Sequence, residues 1–185
     1  MLETHTISNE SSSAHRMPTP KGASAEPTTP STCSIATRMT FAASAEEVWN
    51  RLMFYEQIDQ RPPAYLRMRL PVPIRTVGRK SHVGDQARCL YEGGHLIKRV
   101  TQVEPGRLYA FQIVEQMLAV GGGMRLSGGE YALDERAPDH TDVKLTTHYA
   151  SKKWPRWLWE PMEATVCHAF HRHILSAMRR SVESR

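Results

Sequence analysis

Hydrophobic residues recur with two different periods along this chain, and the change of period predicts the order of its elements. Ser34–Phe41 reads as a β-strand, and a short helix follows it. Segments of alternating character then fill the middle of the chain. The last segment, Met162–Val182, contains neither Gly nor Pro, and helical spacing places one hydrophobic face on it: Cys167, Phe170, Ile174, Ala177 and Met178. The pattern predicts a short helix, a β-rich middle and one long amphipathic helix at the end.

The start of the first helix carries a local signal. Ser44 is followed three residues later by Glu47. The Ser44 hydroxyl can accept a hydrogen bond from the Glu47 amide while the Glu47 carboxylate reaches back, which is a capping box. We therefore predict that a helix begins directly after Ser44.

Turn sequences divide the middle of the chain into runs of about ten residues, the pattern of an antiparallel meander. The turns are Gly84-Asp85, Gly93-Gly94, Pro105-Gly106, Gly121-Gly122-Gly123 and Ala137-Pro138-Asp139-His140. We predict seven strands, near residues 34–41, 77–82, 86–92, 95–103, 108–117, 124–133 and 142–150. A lone long helix can bury its hydrophobic face only across the concave side of such a sheet, and the two together enclose a cavity.

The segment between the first helix and the meander is expected to be irregular. Gln57–Thr76 contains Arg61-Pro62-Pro63 as well as Pro71 and Pro73. Proline removes a backbone donor and restricts the residue before it, so it interrupts regular structure. We expect this segment to form a rim over one end of the cavity.

The alternation of side chains along a strand predicts which residues face the helix. In one strand the inward row ends with Glu115, and in the last strand His148 faces outward. Gly128-Gly129 indicates a bulge, and Arg125 faces inward only if no bulge intervenes. The inward rows are Tyr109, Phe111, Ile113 and Glu115; Ala87, Cys89 and Tyr91; Arg125, Tyr131 and Leu133; and Val143, Leu145, Thr147 and Tyr149.

Three segments resemble the superfamily of helix-grip proteins (SRPBCC), which includes START domains, the birch-pollen allergen and bacterial polyketide cyclase/dehydrase-like proteins. They are Phe41–Trp49, Val100–Pro105 and Thr141–Thr146, and the resemblance covers about residues 34–182. It implies an α+β helix-grip fold, in which a curved antiparallel sheet of about seven strands wraps around a long C-terminal helix. It also implies a deep, mostly apolar pocket for lipids, isoprenoids, polyketides or other hydrophobic small molecules. Members include enzymes, carriers and ligand sensors, so the resemblance does not imply one activity.

Strand parity and helix phase select the residues expected at the cavity, which are Tyr91, Phe111, Glu115, Arg125, Tyr131, Tyr149, Phe170, His171 and Ile174. In one interpretation Glu115 or His171 is an acid–base group of an aromatase/cyclase- or dehydrase-type enzyme. In the other, Glu115 and Arg125 neutralise each other while the tyrosines orient a ligand. We expect a binding or carrier protein, with the enzyme as the alternative.

The histidines of the last helix do not have the spacing of a metal site. His168 and His171 lie one turn apart, but His173 is rotated by about 160° from His171, so the three cannot meet at one ion. No other motif supplies a further ligand. We therefore predict no metal site and no cofactor.

Three of the four tryptophans lie together before the last helix, within Ser151–Trp159. Trp beside Lys or Arg suits the surface of an anionic membrane, so the candidates for membrane contact are Lys152, Lys153, Trp154 and Trp157. Alternatively the indoles pack against the proline-rich rim and close the pocket as a lid. Because the aromatic residues gather at one corner instead of along a strand, we expect no nucleic-acid partner.

Composition adds the boundaries of the domain. Residues 1–32 hold six Ser, six Thr and four Pro, so we expect residues 1–33 to be a disordered tail and residues 34–185 to be the ligand-binding domain. The net charge of +5 permits attraction to anions without selecting one. The three cysteines are far apart, which argues against a disulfide framework. With no signal peptide and no apolar run of membrane-spanning length, we expect a cytoplasmic protein.

Overall fold

A computed structural model of the chain describes residues 32–54, 73–120 and 123–184. Almost all of the predicted disordered tail, 1–33, and most of the predicted rim, Gln57–Thr76, lie outside these residues. The described elements are β1 (Thr32–Phe41), α1 (Ala45–Phe54), β2 (Pro73–Gly78), β3 (Gln86–Tyr91), β4 (Gly94–Glu104), β5 (Leu108–Met117), β6 (Met124–Ala137), β7 (His140–Ser151) and α2 (Arg156–Glu183).

The seven described strands form one antiparallel sheet in the order β1-β7-β6-β5-β4-β3-β2. Strands β2 to β7 follow one another as a meander, and β1 pairs with β7 along ten residues. The sheet is curved, and α2 packs across it against β1, β7 and α1. The predicted α+β helix-grip fold is therefore confirmed.

The start of α1 follows the capping prediction. The Glu47 amide donates to Ser44 Oγ at 3.3 Å, and the Ser44 amide donates to the Glu47 carboxylate, also at 3.3 Å. These bonds satisfy backbone donors that the first helical turn leaves without partners.

The predicted strand near 77–82 is wrong in position, because β2 runs from Pro73 to Gly78. The amides of Ser81 and His82 both donate to the Asp85 carboxylate at 3.0 Å. A carboxylate that captures successive amides stabilises a turn and removes those donors from the sheet. The chain therefore turns after Gly78, where φ is +118°, a backbone conformation that glycine adopts without strain.

Helix α2 begins at Arg156, earlier than the predicted Met162, and it includes Pro161. A buried ion pair holds this extra length in place. Arg156 Nη1 lies 2.9 Å from the Glu163 carboxylate, which also accepts from Ser151 Oγ at 2.6 Å. These bonds tie the first turns of α2 to the end of β7.

The largest hydrophobic cluster lies where α1, the sheet and the C-terminal half of α2 meet. Its fully buried members include Phe41, Val48, Val143, Leu175 and Met178. Two smaller clusters lie under the N-terminal half of α2, one around Tyr149 and Cys167 and the other around Val120. The helix thus covers a continuous core at one end and a divided one at the other.

Candidate functional site

A cavity lies between the sheet and α2, beside the largest hydrophobic cluster. It has two lobes of about 70 Å³ each. The walls that both lobes share are Tyr91, Leu96, Leu126, Thr147, Phe170 and His171. The first lobe adds Leu118, Val120 and Cys167, and the second adds Lys98, Phe111, Ile113, Gly128, Tyr131, Leu145 and Ile174. Because most of these side chains are apolar, the cavity is suited to an apolar molecule.

Six of the residues selected from the sequence line this cavity: Tyr91, Phe111, Tyr131, Phe170, His171 and Ile174. Strand and helix supply opposite walls, since Phe111 lies on β5 and Phe170 on α2. Burial raises the pKa of Tyr91, and the nearby Cys89 and Tyr131 act in the same direction. Tyr91 therefore stays a neutral phenol. That these residues bind a ligand remains a prediction.

Glu115 does not reach the cavity, so the expectation that it ends an inward row is wrong. Its side chain is 47% exposed and pairs with His95 at 2.7 Å. The register of β4 against β5 shifts between Ile113 and Glu115, which places an extra residue on β5. One extra residue reverses the faces of a strand. The neighbouring Gln116 turns inward instead and hydrogen bonds to the backbone of residues 118, 124 and 126.

Arg125 is also exposed, which corrects its inward assignment. The register of β6 against β7 shifts between Leu126 and Gly128, beside the bulge that the two glycines indicated. The shift places Met124 and Leu126 inward in place of Arg125. Glu115 and Arg125 therefore do not form the neutralising pair of the second interpretation.

Tyr149 faces inward as predicted but does not line either lobe. It is fully buried among Ile35, Met124 and Cys167, under the N-terminal half of α2. Burial raises the pKa of its hydroxyl, and the charge of Glu163 adds to this effect. Tyr149 therefore stays a neutral phenol and packs in the core outside the two lobes.

Both ring nitrogens of His171, at the cavity wall, have hydrogen-bond partners. Its Nδ1 lies 3.0 Å from Thr37 Oγ1, and its Nε2 lies 2.8 Å from Thr147 Oγ1. Thr37 Oγ1 also lies 2.8 Å from His168 Nδ1. Burial, together with the neighbouring His168, lowers the pKa of His171 to about 4. His171 is therefore a neutral imidazole at physiological pH, held between two hydroxyl groups.

Thr37 was not among the residues predicted at the cavity, and Thr147 was predicted only to face inward. A threonine in a strand has no chemical signature of its own. The register places Thr147 opposite Ile35, so that Thr37 and Thr147 are diagonal neighbours on the inner face. Thr37 and Thr147 belong to the site only because His171 lies over both of them. The available signal was Thr37 itself, the one polar residue in the inward row that runs from Ile35 to Phe41.

The described part of the chain contains no group of three His, Cys, Asp or Glu side chains that could hold a metal ion. His168 and His171 converge, but they do so on the hydroxyl of Thr37. The three cysteines, all within the described residues, form no disulfide. Burial raises the pKa of Cys167, in the first lobe, to about 11, so this wall carries a neutral thiol.

The tryptophan corner projects from the start of α2. Trp154 is 85% exposed and Trp157 is 77% exposed, while Lys153 Nζ lies 4.6 Å from the Trp159 ring centroid. Leu158 and Met162 are also exposed. The lid alternative required all three indoles to be buried, and two of them are not. Neither described helix is long and apolar enough to cross a membrane.

The charges at this corner are largely paired. Glu163 is 3% exposed and lies 2.9 Å from Arg156 and 3.8 Å from Lys153. Burial acts to raise the pKa of Glu163, but hydrogen bonds from Ser151 and Arg156 outweigh it and the pKa is lowered. Among the candidates for membrane contact, Lys152 is the cation whose side chain is exposed.

Known structures share this architecture. The Zhui aromatase/cyclase from Streptomyces sp. R1128 is 19% identical, with a TM-score of 0.60 over 84% of this chain and 96% of that one. A START superfamily protein from Mycobacterium smegmatis is 16% identical, with a TM-score of 0.58 over 82% and 97%. Norcoclaurine synthase from Thalictrum flavum, solved with dopamine and hydroxybenzaldehyde, is 16% identical, with a TM-score of 0.55 over 84% and 89%. At these identities the likeness shows the fold.

A search of curated proteins finds no match to this chain. A family model, in contrast, matches residues 32–183, which span every described element. Its description is polyketide cyclase / dehydrase and lipid transport. The chain therefore belongs to the polyketide cyclase/dehydrase and lipid transport family.

Proposed function

We propose that this protein binds a hydrophobic small molecule of the lipid, isoprenoid or polyketide type between the sheet and α2, as a carrier or binding protein. The observation that carries the proposal is the apolar cavity with its few hydroxyl groups. Ligand sites are typically concave and mostly apolar, with a small number of polar groups that fix orientation.

The size of the cavity limits what fits without rearrangement. An apolar cavity of about 150 Å³ holds one benzene molecule. Each lobe, at about 70 Å³, is about half that size, so one aromatic ring or a short isoprenoid end would extend across both lobes. A larger ligand requires Phe170 and Ile174 to move. Both are only partly buried on α2, so they can change rotamer at lower cost than the fully buried Leu175.

Filling the cavity tests the proposal. Leu126 lines both lobes, so Leu126→Trp should exclude a bound molecule. Val114→Trp is the matched control, because Val114 is an exposed residue of the neighbouring strand. Native mass spectrometry of protein purified from its own host should show a bound small molecule with the wild type and the control but not with Leu126→Trp. Ligand that remains on folded Leu126→Trp protein would contradict the proposal.

An aromatase/cyclase- or dehydrase-type enzyme is the second candidate. The buried His171 at the cavity wall supports it, and a similar structure is an aromatase/cyclase. The support is narrow, because Glu115 lies outside and both nitrogens of His171 already have hydroxyl partners. A turnover assay with a poly-β-ketone thioester separates the two functions. If the protein is an enzyme, the wild type forms a cyclised product and His171→Gln does not. If it is a carrier, neither protein forms this product.

Contact with an anionic membrane is a further part of the proposal. Exposed Trp154, Trp157 and Leu158 form an apolar projection beside Lys152. Indole rings favour the headgroup region of a bilayer, and a nearby cation favours anionic lipid. Because Glu163 already neutralises Arg156 and part of the charge of Lys153, insertion of the indoles is expected to contribute more than electrostatic attraction.

A further inference from the structure

The hydrogen-bonding capacity of His171 and its partners determines which of them can bind a ligand. A neutral imidazole offers one donor and one acceptor, and both nitrogens of His171 already contact threonine hydroxyls. His171 therefore has no capacity left for a ligand, although it lines both lobes. Within this chain of hydrogen bonds, the next group that lines the cavity is Thr147.

Thr147 does have capacity left. A hydroxyl has one hydrogen and two acceptor sites. Within the described residues, the side-chain hydroxyl of Thr147 has one hydrogen-bond partner, His171 Nε2 at 2.8 Å. Thr147 lines both lobes, so its remaining capacity is available where an apolar ligand would lie.

The same network lets Thr147 act as donor or acceptor. Thr37 Oγ1 contacts two imidazoles, His168 and His171, but has one hydrogen, so it donates to one and accepts from the other. If Thr37 donates to His171, then His171 Nε2 donates to Thr147, whose own hydrogen is free for a carbonyl oxygen. If Thr37 donates to His168, then Thr147 donates to His171 and accepts from a ligand hydroxyl.

We propose that the Thr147 hydroxyl recognises a single oxygen atom, a hydroxyl or a carbonyl, on an otherwise apolar ligand. This inference rests on the proposed ligand-binding function and narrows its ligand class. His171, Thr37 and His168 are positioning residues that fix the orientation of the Thr147 hydroxyl. His171 Nε2 either donates a hydrogen bond to this hydroxyl or accepts one from it. The cavity also has Tyr91 and Tyr131 at its wall, and Lys98, whose Nζ lies 4.4 Å from the Phe111 ring centroid. These groups are the competing recognition points.

Phenol and toluene are suitable probes, because each has one ring, which fits the cavity, and they differ in a hydroxyl against a methyl group. Dissociation constants of both are measured by NMR titration of the intact chain. Thr147→Val removes the hydroxyl with little change in shape. It should weaken phenol binding by about threefold to tenfold, the value of one hydrogen bond, and leave toluene binding within about twofold.

The chain offers a matched control. Thr146 is the next residue of β7, is buried, and donates its hydroxyl to Glu130 away from the cavity. Thr146→Val should leave both dissociation constants unchanged. Thr147→Ser, which keeps a hydroxyl, should retain the preference for phenol. If Thr147→Val does not fold, Thr147→Ala is compared with Thr147→Ser in its place.

The outcomes separate the two proposals. If toluene binds but Thr147→Val affects phenol and toluene equally, the inference is wrong and the ligand-binding proposal stands. Loss of the phenol preference in Tyr91→Phe instead of Thr147→Val would assign recognition to the tyrosines and overturn the inference. Benzoate binding more tightly than phenol would assign it to Lys98 with the same consequence. If no probe binds to the wild type at all, the proposed function fails and the inference fails with it.

Discussion

The two halves of α2 lie over different interiors. The C-terminal half, with Leu175, Met178 and Val182, packs into the largest hydrophobic cluster together with α1. The N-terminal part, Arg156–Ile174, lines the cavity, carries the buried Glu163 and the hydrogen-bonded His171, and begins beside exposed indoles. One half therefore has the composition that stabilises a fold. The other has empty space, buried polar groups and exposed aromatic rings, which are typical of a binding site.

The largest loss of stability is expected from a substitution in the C-terminal half of α2. Leu175→Ala removes a fully buried side chain, so it should lower the free energy of unfolding by about 2–5 kcal/mol. Phe170→Ala removes a partly buried ring beside an existing cavity and should cost less, about 1–2 kcal/mol, while weakening ligand retention. Urea unfolding measures both. An equal or larger loss for Phe170→Ala would show that the two halves do not differ as described.

The buried ion pair should give the next effect. Glu163→Gln leaves Arg156 without its carboxylate, and because the Arg156 side chain is 26% exposed we expect a loss of about 2–3 kcal/mol. The double variant Arg156→Met/Glu163→Leu removes both charges and should recover most of that loss. If the double variant is less stable than Glu163→Gln, the ion pair stabilises the fold more than apolar side chains do at these positions.

Acid should destabilise the protein through His171, which lies in the part of α2 that lines the cavity. The folded state holds His171 with a pKa of about 4, whereas an unfolded histidine has a pKa near 6.5. Between these values only the unfolded state binds the proton. The stability is therefore complete above about pH 6.5 and is lost as the pH falls toward 4, by up to about 3 kcal/mol. Unfolding free energies measured from pH 7 to pH 4.5 should fall less steeply for His171→Gln. Parallel curves would contradict this prediction.

The smallest effect on stability is expected at the tryptophan corner. Trp154→Ala with Trp157→Ala should change the free energy of unfolding by less than about 0.5 kcal/mol, since both rings are exposed. The same variant should lose most binding to vesicles that contain phosphatidylserine. Lys152→Glu should reduce binding only partly and make it less sensitive to salt. Val83→Ala, at another exposed position, is the control. Unchanged vesicle binding by the double Trp variant would remove the membrane proposal.

The sequence by itself determined the elements and their order. The capping residues Ser44 and Glu47 specify where α1 begins, and alternation along β7 correctly assigned Val143, Leu145 and Thr147 to the inner face. These properties depend on residues close together in the chain, so local periodicity records them. The same periodicity placed Phe111, Tyr131 and Phe170 at the cavity.

Only the tertiary structure decided the polar chemistry of the site. One extra residue in β5 moved Glu115 out of the cavity row, and one in β6 did the same to Arg125, because each bulge reverses the faces beyond it. The contacts of His171 with Thr37 and Thr147 join residues more than a hundred and more than twenty positions apart. Such contacts depend on strand register and on where α2 lies over the sheet, which no local pattern encodes.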